Sequence, residues 1–370
     1  MPKFAISRMQ YFFIIPSILF DKAIGITTGV MVRRLGADTW VSMTIGFILG
    51  ILVVLLMTYL CSKFGDKTII ELSEELLGKW FSVAVTVLLT VYFILSFGVS
   101  ANVMTMHISQ YFLPETPFIL ICILWIVICM YAVYLGIEVT ARFSLISFLM
   151  VVLITVTMVT GTMQDIKPIN LLPLMDKGLM ADITGSVYIF SDIAMAVFAV
   201  ALLYPLLNST KKVFGITFWA MVTGAVLTIL WPLFETMVLG PGLMANYCVV
   251  CMQQIRCAQL TRYMPRYELI MVSFFVFVVL IQSVIMFFGA EHCIQRLVGA
   301  RKSFLLLIPL TILMVLVTYF MGVDHIRYVN FIAFPYSQIC LGLSLGLPLI
   351  LLVAMALKGK LNNARTHTKW

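Results

Sequence analysis

Ten apolar stretches follow one another along the 370 residues, and each is long enough to cross a bilayer. Crossing takes about 20 apolar residues, and the stretches are read at about 9–32, 39–60, 80–110, 117–136, 141–161, 184–207, 214–239, 268–295, 304–322 and 328–357. The chain is 62% hydrophobic and 11% charged, where a soluble domain carries roughly 25% charge. No water-facing fold of this length can hide so much apolar surface, so the solvent is lipid. The length and continuity of the apolar runs favour helices, which satisfy their own backbone groups in lipid. The expectation is an all-α integral membrane protein, one domain over 1–370 with no soluble appendage.

Two of the ten stretches carry an acidic residue in mid-span. The first holds Asp21, Lys22 and Gly25, and the sixth holds Asp192. A charge in the middle of a membrane helix costs on the order of 3 kcal/mol even on the mildest scale, which marks these positions as functional candidates. Stretches one and six also correspond if the chain is two halves of five. Five is odd, so the second half must be inverted relative to the first. The interruptions fit that pattern: an inner segment at 61–79, outer segments at 162–183 and 240–267. The organisation expected is a 5+5 inverted repeat, one repeat over about 7–161 and the other over about 184–357, with helices 1 and 6 broken where a ligand binds.

The formal net charge of +8 does not point to nucleic acid, because of where the charge lies. With the N-terminus inside, fifteen Lys and Arg fall in inner segments, eight in outer ones, and Lys22 within a span. That bias places both termini in the cytoplasm. Within 68–80, Ile70, Leu72, Leu76 and Leu77 form one face and Glu71, Glu74 and Glu75 another, so a short helix is expected along the inner membrane surface. Of eight cysteines, Cys248, Cys251 and Cys257 cluster in an outer segment. They read as plain thiols or a local disulfide; a metal site would need a fourth ligand, and that segment has no His. No nucleophile elbow, phosphate-cradling Gly-rich loop or His-Glu-x-x-His is present, so no enzyme and no cofactor is implied.

Phe20-Asp21-Lys22-Ala23-Ile24-Gly25-Ile26-Thr27-Thr28 sets two charges, a glycine and two threonines at membrane depth. Irregular backbone there must face protein or a water-filled cavity. A break would free amides and carbonyls for the two ends of a small zwitterion. The alternative is that Asp21 and Lys22 pair with neighbouring helices and fix packing. In the sixth stretch, Phe190, Ser191 and Asp192 interrupt an apolar run. Asp192 could hold a proton or accept from a ligand amine, or it could pair with a cation such as Lys22. Glu291-His292-Cys293 reads as a solvated face, and His107 and Glu235 as structural groups. The candidate ligand-binding set is therefore Asp21, Lys22, Gly25, Thr27, Thr28, Phe190, Ser191 and Asp192.

Several short elements, taken together, carry a resemblance over almost the whole chain. They are Ile6-Ser7-Arg8-Met9-Gln10, Asp38-Thr39-Trp40, Gly78-Lys79-Trp80, Leu113-Pro114-Glu115-Thr116-Pro117, Gly136-x-Glu138-x-x-x-Arg142, Asn170-Leu171-Leu172-Pro173, Gly240-Pro241 and Arg266-Tyr267-Glu268. The chain resembles the B subunit of GerA-type spore germinant receptors, the spore germination permease family within the amino acid–polyamine–organocation superfamily. The resemblance implies a LeuT-like fold of ten transmembrane helices in the inner membrane of a dormant spore. It implies a small nutrient ligand, usually an amino acid, near the breaks of helices 1 and 6, with A and C receptor subunits as partners besides membrane lipid. The chain departs from the family pattern at the break itself. Phe20-Asp21-Lys22 stands where a Gly-x-Gly break often begins, Ala196 where an acid is common, and Val250-Cys251 where Pro-Thr is common. Three functions are weighed: a germinant-binding receptor subunit, a proton-coupled transporter of amino acids or amines, and a structural scaffold for partner subunits.

Overall fold

The computed structural model describes residues 6–65, 67–257, 267–299 and 304–367. Arg266 of the sequence elements above lies outside these, as do Lys3, Arg262, Arg301, Lys302 and Lys369 of the charge count. Among the described residues the protein is all-α and has no strand. In chain order the helices are α1 (Arg8–Ile24), α2 (Thr27–Leu35), α3 (Thr39–Phe64), α4 (Ile69–Leu77), α5 (Lys79–Tyr111), α6 (Phe118–Leu135), α7 (Ile137–Gly161), α8 (Leu179–Gly185), α9 (Phe190–Leu203), α10 (Val213–Leu239), α11 (Pro241–Met244), α12 (Val250–Cys257), α13 (Tyr267–Val298), α14 (Phe304–Gly322), α15 (His325–Phe331) and α16 (Ser337–His367). Nine helical stretches of the described residues are long and apolar enough to cross a membrane. α1 is a further apolar helix of 17 residues, about 25 Å long at 1.5 Å per residue.

The outward surface confirms the solvent. Leu52, Leu124, Leu145, Leu305, Ile312 and Phe320 each expose more than half of their surface. Contiguous apolar surface on this scale is a liability in water and costs nothing against acyl chains. Burial is graded. In the most apolar window of Leu179–Leu206, 94% is buried, against 22% in that of Leu305–Gly322. The sixth span is thus the centre of the protein and α14 a peripheral helix.

The short helix expected after the second apolar stretch forms, for a reason visible in the chain. Thr68 and Glu71 make a reciprocal capping box, so two backbone donors are satisfied at its start. Its buried face is Ile69, Ile70 and Leu72; Leu77, expected on that face, is exposed. α4 is held by Ser82 Oγ donating to the Ile70 carbonyl at 2.9 Å, and by Arg296 Nη2 at 2.8 Å from Glu74 Oε2. The segment at 162–183 differs more from expectation. Helix resumes at Leu179, five residues before the expected 184. Asp182 and Thr184 dilute the apolar signal there, yet the backbone already coils and Asp182 is buried.

Candidate functional site

The two spans that carry Asp21 and Asp192 are both interrupted, by different devices. α1 ends at Ile24, Gly25 is extended (φ −75°, ψ −173°), and α2 restarts at Thr27 with no side-chain cap. In the sixth span a 3-10 turn over Ser186–Ile189 joins α8 to α9 without leaving helical space. A closely packed glycine lies near each interruption. A Cβ on Gly29 would meet the Tyr247 and Cys248 carbonyl oxygens at 2.5 and 2.6 Å, so only glycine lets α2 lie on that backbone. A Cβ on Gly46 of α3 would stand 3.0 Å from the Ser186 carbonyl oxygen.

The two spans meet at two levels. At one end, Ile6 N–H donates to the Leu206 carbonyl (2.9 Å) and Asn208 N–H to the Ile6 carbonyl (3.0 Å), an isolated parallel bridge. In the interior, Lys22 Nζ lies 3.2 Å from Asp192 Oδ2 and donates to Ser191 Oγ. Ser191 Oγ in turn donates to the Tyr188 carbonyl at 3.2 Å. Asp21, Lys22 and Asp192 are only 5%, 4% and 3% exposed. Asp21 interacts electrostatically with both Lys22 and Asp192, and its Oδ1 has no hydrogen-bond partner. The cluster therefore holds two acidic side chains and one lysine, in a place where each uncompensated charge is expensive.

Of the expected site residues, the structure brings Asp21, Lys22, Ser191 and Asp192 together. Gly25 is the break, and its amide donates to the Asp21 carbonyl at 3.0 Å. Thr27 and Thr28 are buried in the first turn of α2, and Thr28 Oγ1 has no partner. Phe190 lies along an apolar groove between α3, α8 and α16. Other groups of this interior went unread in the sequence. Gln282 interacts with Asp21 and Tyr328 with both carboxylates; the Tyr328 hydroxyl donates to the Val99 carbonyl at 2.9 Å. Tyr336, in a π-turn over Ile332–Tyr336, donates to Ser96 Oγ at 2.9 Å. A Gln-Ser pair inside the apolar run of the eighth span was the signal available for Gln282.

His107 is buried, bonded through Nδ1 to the Val103 carbonyl at 2.7 Å and packed on the Phe275 ring, in line with the structural role expected of it. Glu235 is fully buried with neither oxygen bonded. Glu291 and Cys293, expected on a solvated face, are buried, because the end of α13 is covered; Gln295 Nε2 donates to Glu291 Oε1 at 2.7 Å. Cys248, Cys251 and Cys257 are free thiols; Cys251 is buried and donates to the Ile24 carbonyl at the break, at 3.4 Å. Most of the sequence elements behind the resemblance turn out to be ties and caps. Ser7 closes a capping box on α1, Asp38 accepts from the Met175 and Asp176 amides at 2.8 and 3.2 Å, and Asn170 donates to the Met237 carbonyl at 3.0 Å.

Comparison with known proteins agrees with that pattern. The family described as spore germination protein, of the spore permease type, matches residues 5–325. The putative spore germination protein YfkT of Bacillus subtilis (strain 168) is 25% identical over 276 residues, covering 71% of this chain and 73% of YfkT. Spore germination protein KB of the same organism is 27% identical over 230 residues, 58% of this chain and 57% of its own length. Spore germination protein YndE is 25% identical over 150 residues, 40% of this chain and 41% of YndE. The match thus spans less than two thirds of YndE and of KB. A multi-pass all-α membrane architecture and a family match over most of the chain lead to one conclusion: this chain belongs to the spore germination protein family of spore permeases.

Proposed function

We propose that the protein is the membrane subunit of a spore germinant receptor, and that it binds a small nutrient, an amino acid by its chemistry, between the breaks of spans one and six to trigger germination. The observation that carries this reading is the buried cluster of Asp21, Lys22, Ser191 and Asp192 between two interrupted helices. Its second carboxylate exceeds the one ammonium, which suits a ligand ammonium. The uncapped N-terminus of α2, with the Thr27 and Thr28 hydroxyls, suits a ligand carboxylate. A ligand moves a conformational equilibrium only by binding one state better. A ligand ammonium competing with Lys22 for Asp192 supplies such a difference. The same reading takes α1 and α2 as halves of one interrupted span, which makes ten with the other nine. It also takes the two inverted repeats, both termini in the cytoplasm, the spore inner membrane, and A and C subunits as partners.

The test is germination of spores carrying this protein with its gene neighbours, scored against amino acids, sugars and nucleosides, with and without Asp192→Asn. The reading expects a nutrient response whose concentration dependence the substitution shifts. The second reading is proton-coupled transport of amino acids or amines. It is favoured by the unbonded carboxyl oxygens of Asp21 and Glu235 at membrane depth, where carboxyl groups serve as proton relays. Uptake of labelled amino acids into vesicles, with no germination response to any nutrient, would decide for transport.

A further inference from the structure

Two adjoining hollows form a groove beside the sixth-span break: a smaller one at its charged end, the mouth, and a larger apolar one, the depth, which is open along its lipid-facing side. The depth, about 440 Å³, lies between α3, α8 and α16 and is walled by Leu52, Leu56, Ile183, Leu341 and Leu345. The mouth, about 220 Å³, is lined by Arg34, Tyr188, Phe334 and Gln338. Val187 is a wall of both. Phe334, Gln338, Leu341 and Leu345 run along one stripe at intervals of four, three and four residues, leading from mouth to depth. The stripe covers roughly 16 Å at 1.5 Å per residue.

The charge at the mouth is positive and held in place. The exposed Arg34 guanidinium donates to the Tyr188 hydroxyl at 3.2 Å and lies 5.9 Å from the centre of the Phe334 ring. Those contacts leave further N–H donors free, since a guanidinium has five. Lys177 Nζ donates to the Arg34 carbonyl at 2.8 Å, bringing a second cation to the same end. Among the described residues no acidic side chain lines either part. Arginine presents a fork matched to phosphate oxygens, and the groove behind it opens onto lipid-facing Leu49 and Leu52.

We propose that this groove is a binding site for one anionic glycerophospholipid, with its phosphate on Arg34 and one acyl chain laid along the Gln338–Leu345 stripe. Ser186 and Phe190 belong both to the groove wall and to the segment that presents Ser191 and Asp192. The lipid therefore touches the sixth-span break from outside while the Lys22–Asp192 pair holds it from inside. The inference does not depend on which small molecule the interior binds.

The test is lipid retention by the full-length protein in phosphatidylcholine nanodiscs containing a minor fraction of phosphatidylglycerol, read by native mass spectrometry after release. Wild type retains phosphatidylglycerol in preference to phosphatidylcholine. Arg34→Gln, an exposed position that leaves folding intact, lowers that retention about tenfold, the scale of one charge-assisted hydrogen bond. Leu345→Trp, which fills the depth, lowers it similarly. Arg33→Gln leaves it unchanged, because Arg33 is committed to the Ala245 and Tyr247 carbonyls. Free glycerol phosphate does not displace the lipid. Retention unchanged in Arg34→Gln overturns the proposal. So does equal loss in Arg33→Gln, which indicates bulk surface charge, or displacement by glycerol phosphate, which indicates an anion site without a chain. An apolar helix of another protein seated in the groove would leave retention insensitive to Arg34, and overturns it as well.

Discussion

The interruptions in the first and sixth apolar stretches are built differently. At Gly25 the chain leaves helical space for a residue, so carbonyls at the end of α1 and amides at the start of α2 lose their intrahelical partners. One of those carbonyls, Ile24, is met by the Cys251 thiol. At Ser186–Ile189 the helix only tightens, and the backbone stays internally bonded. What the sixth span contributes is side chains: Ser191 and Asp192, aimed at Lys22. The first interruption thus frees backbone groups beside Asp21 and Lys22, and the second keeps its backbone bonded and presents Ser191 and Asp192 to Lys22.

The largest effect should come from breaking the pair that joins them. Lys22→Met leaves two buried carboxylates without a cation and should cost about 3–5 kcal/mol. A fall in the thermal unfolding midpoint of the purified protein would show it. The double change Lys22→Met with Asp192→Leu should recover most of that loss, since an apolar pair of similar volume often replaces a buried ion pair without cost. If the double variant were no better than the single one, the ion pair would not be what joins the spans.

The glycines sharpen the comparison next. Gly29→Ala drives a Cβ into backbone oxygens at 2.5 and 2.6 Å and should cost about 1–3 kcal/mol by overpacking. Gly46→Ala, facing the Ser186 carbonyl oxygen at 3.0 Å, should cost less, because a small shift relieves it. Gly25→Ala has a negative φ and meets only the Asp21 carbonyl oxygen, at 3.3 Å, so it should be mildest of the three. Unfolding midpoints ranked in any other order would mean that the first break is held by something other than the close approach of α2 to residues 247–248. The smallest effect should be Ser191→Ala, which removes one hydrogen bond to Lys22 and should cost about 1 kcal/mol. The same stability assay, run on the paired single and double variants with Lys22→Met, should show the two changes to be non-additive.

The spans were legible because a run of some 20 apolar residues has few other readings in a chain with so little charge. α4 was legible from the Thr68–Glu71 spacing and its helical period, although Leu77 faces outward. The first break was legible because charge, glycine and threonine coincide at one depth. Partnership was harder. Lys22 and Asp192 are 170 residues apart in the chain, and their meeting depends on the packing of α1 against α9; the sequence left pairing open as one of two roles. Gln282 and Tyr328 were passed over because single polar residues in apolar helices usually bond to a backbone carbonyl, as Thr58 and Thr105 do here. Glu291 was misread because proximity to a helix end does not say whether another element covers that end.

The proposed function turns on the interior cluster binding an amino acid through its ammonium. The direct measurement is equilibrium binding of a panel of labelled amino acids to the purified protein, for wild type, Asp21→Asn and Asp192→Asn, with each variant shown to be folded. Wild type should bind at least one amino acid saturably, and each variant should bind it at least about tenfold more weakly, the scale of one charge-assisted contact. Binding that both variants retain at wild-type affinity would contradict it and place the ligand elsewhere.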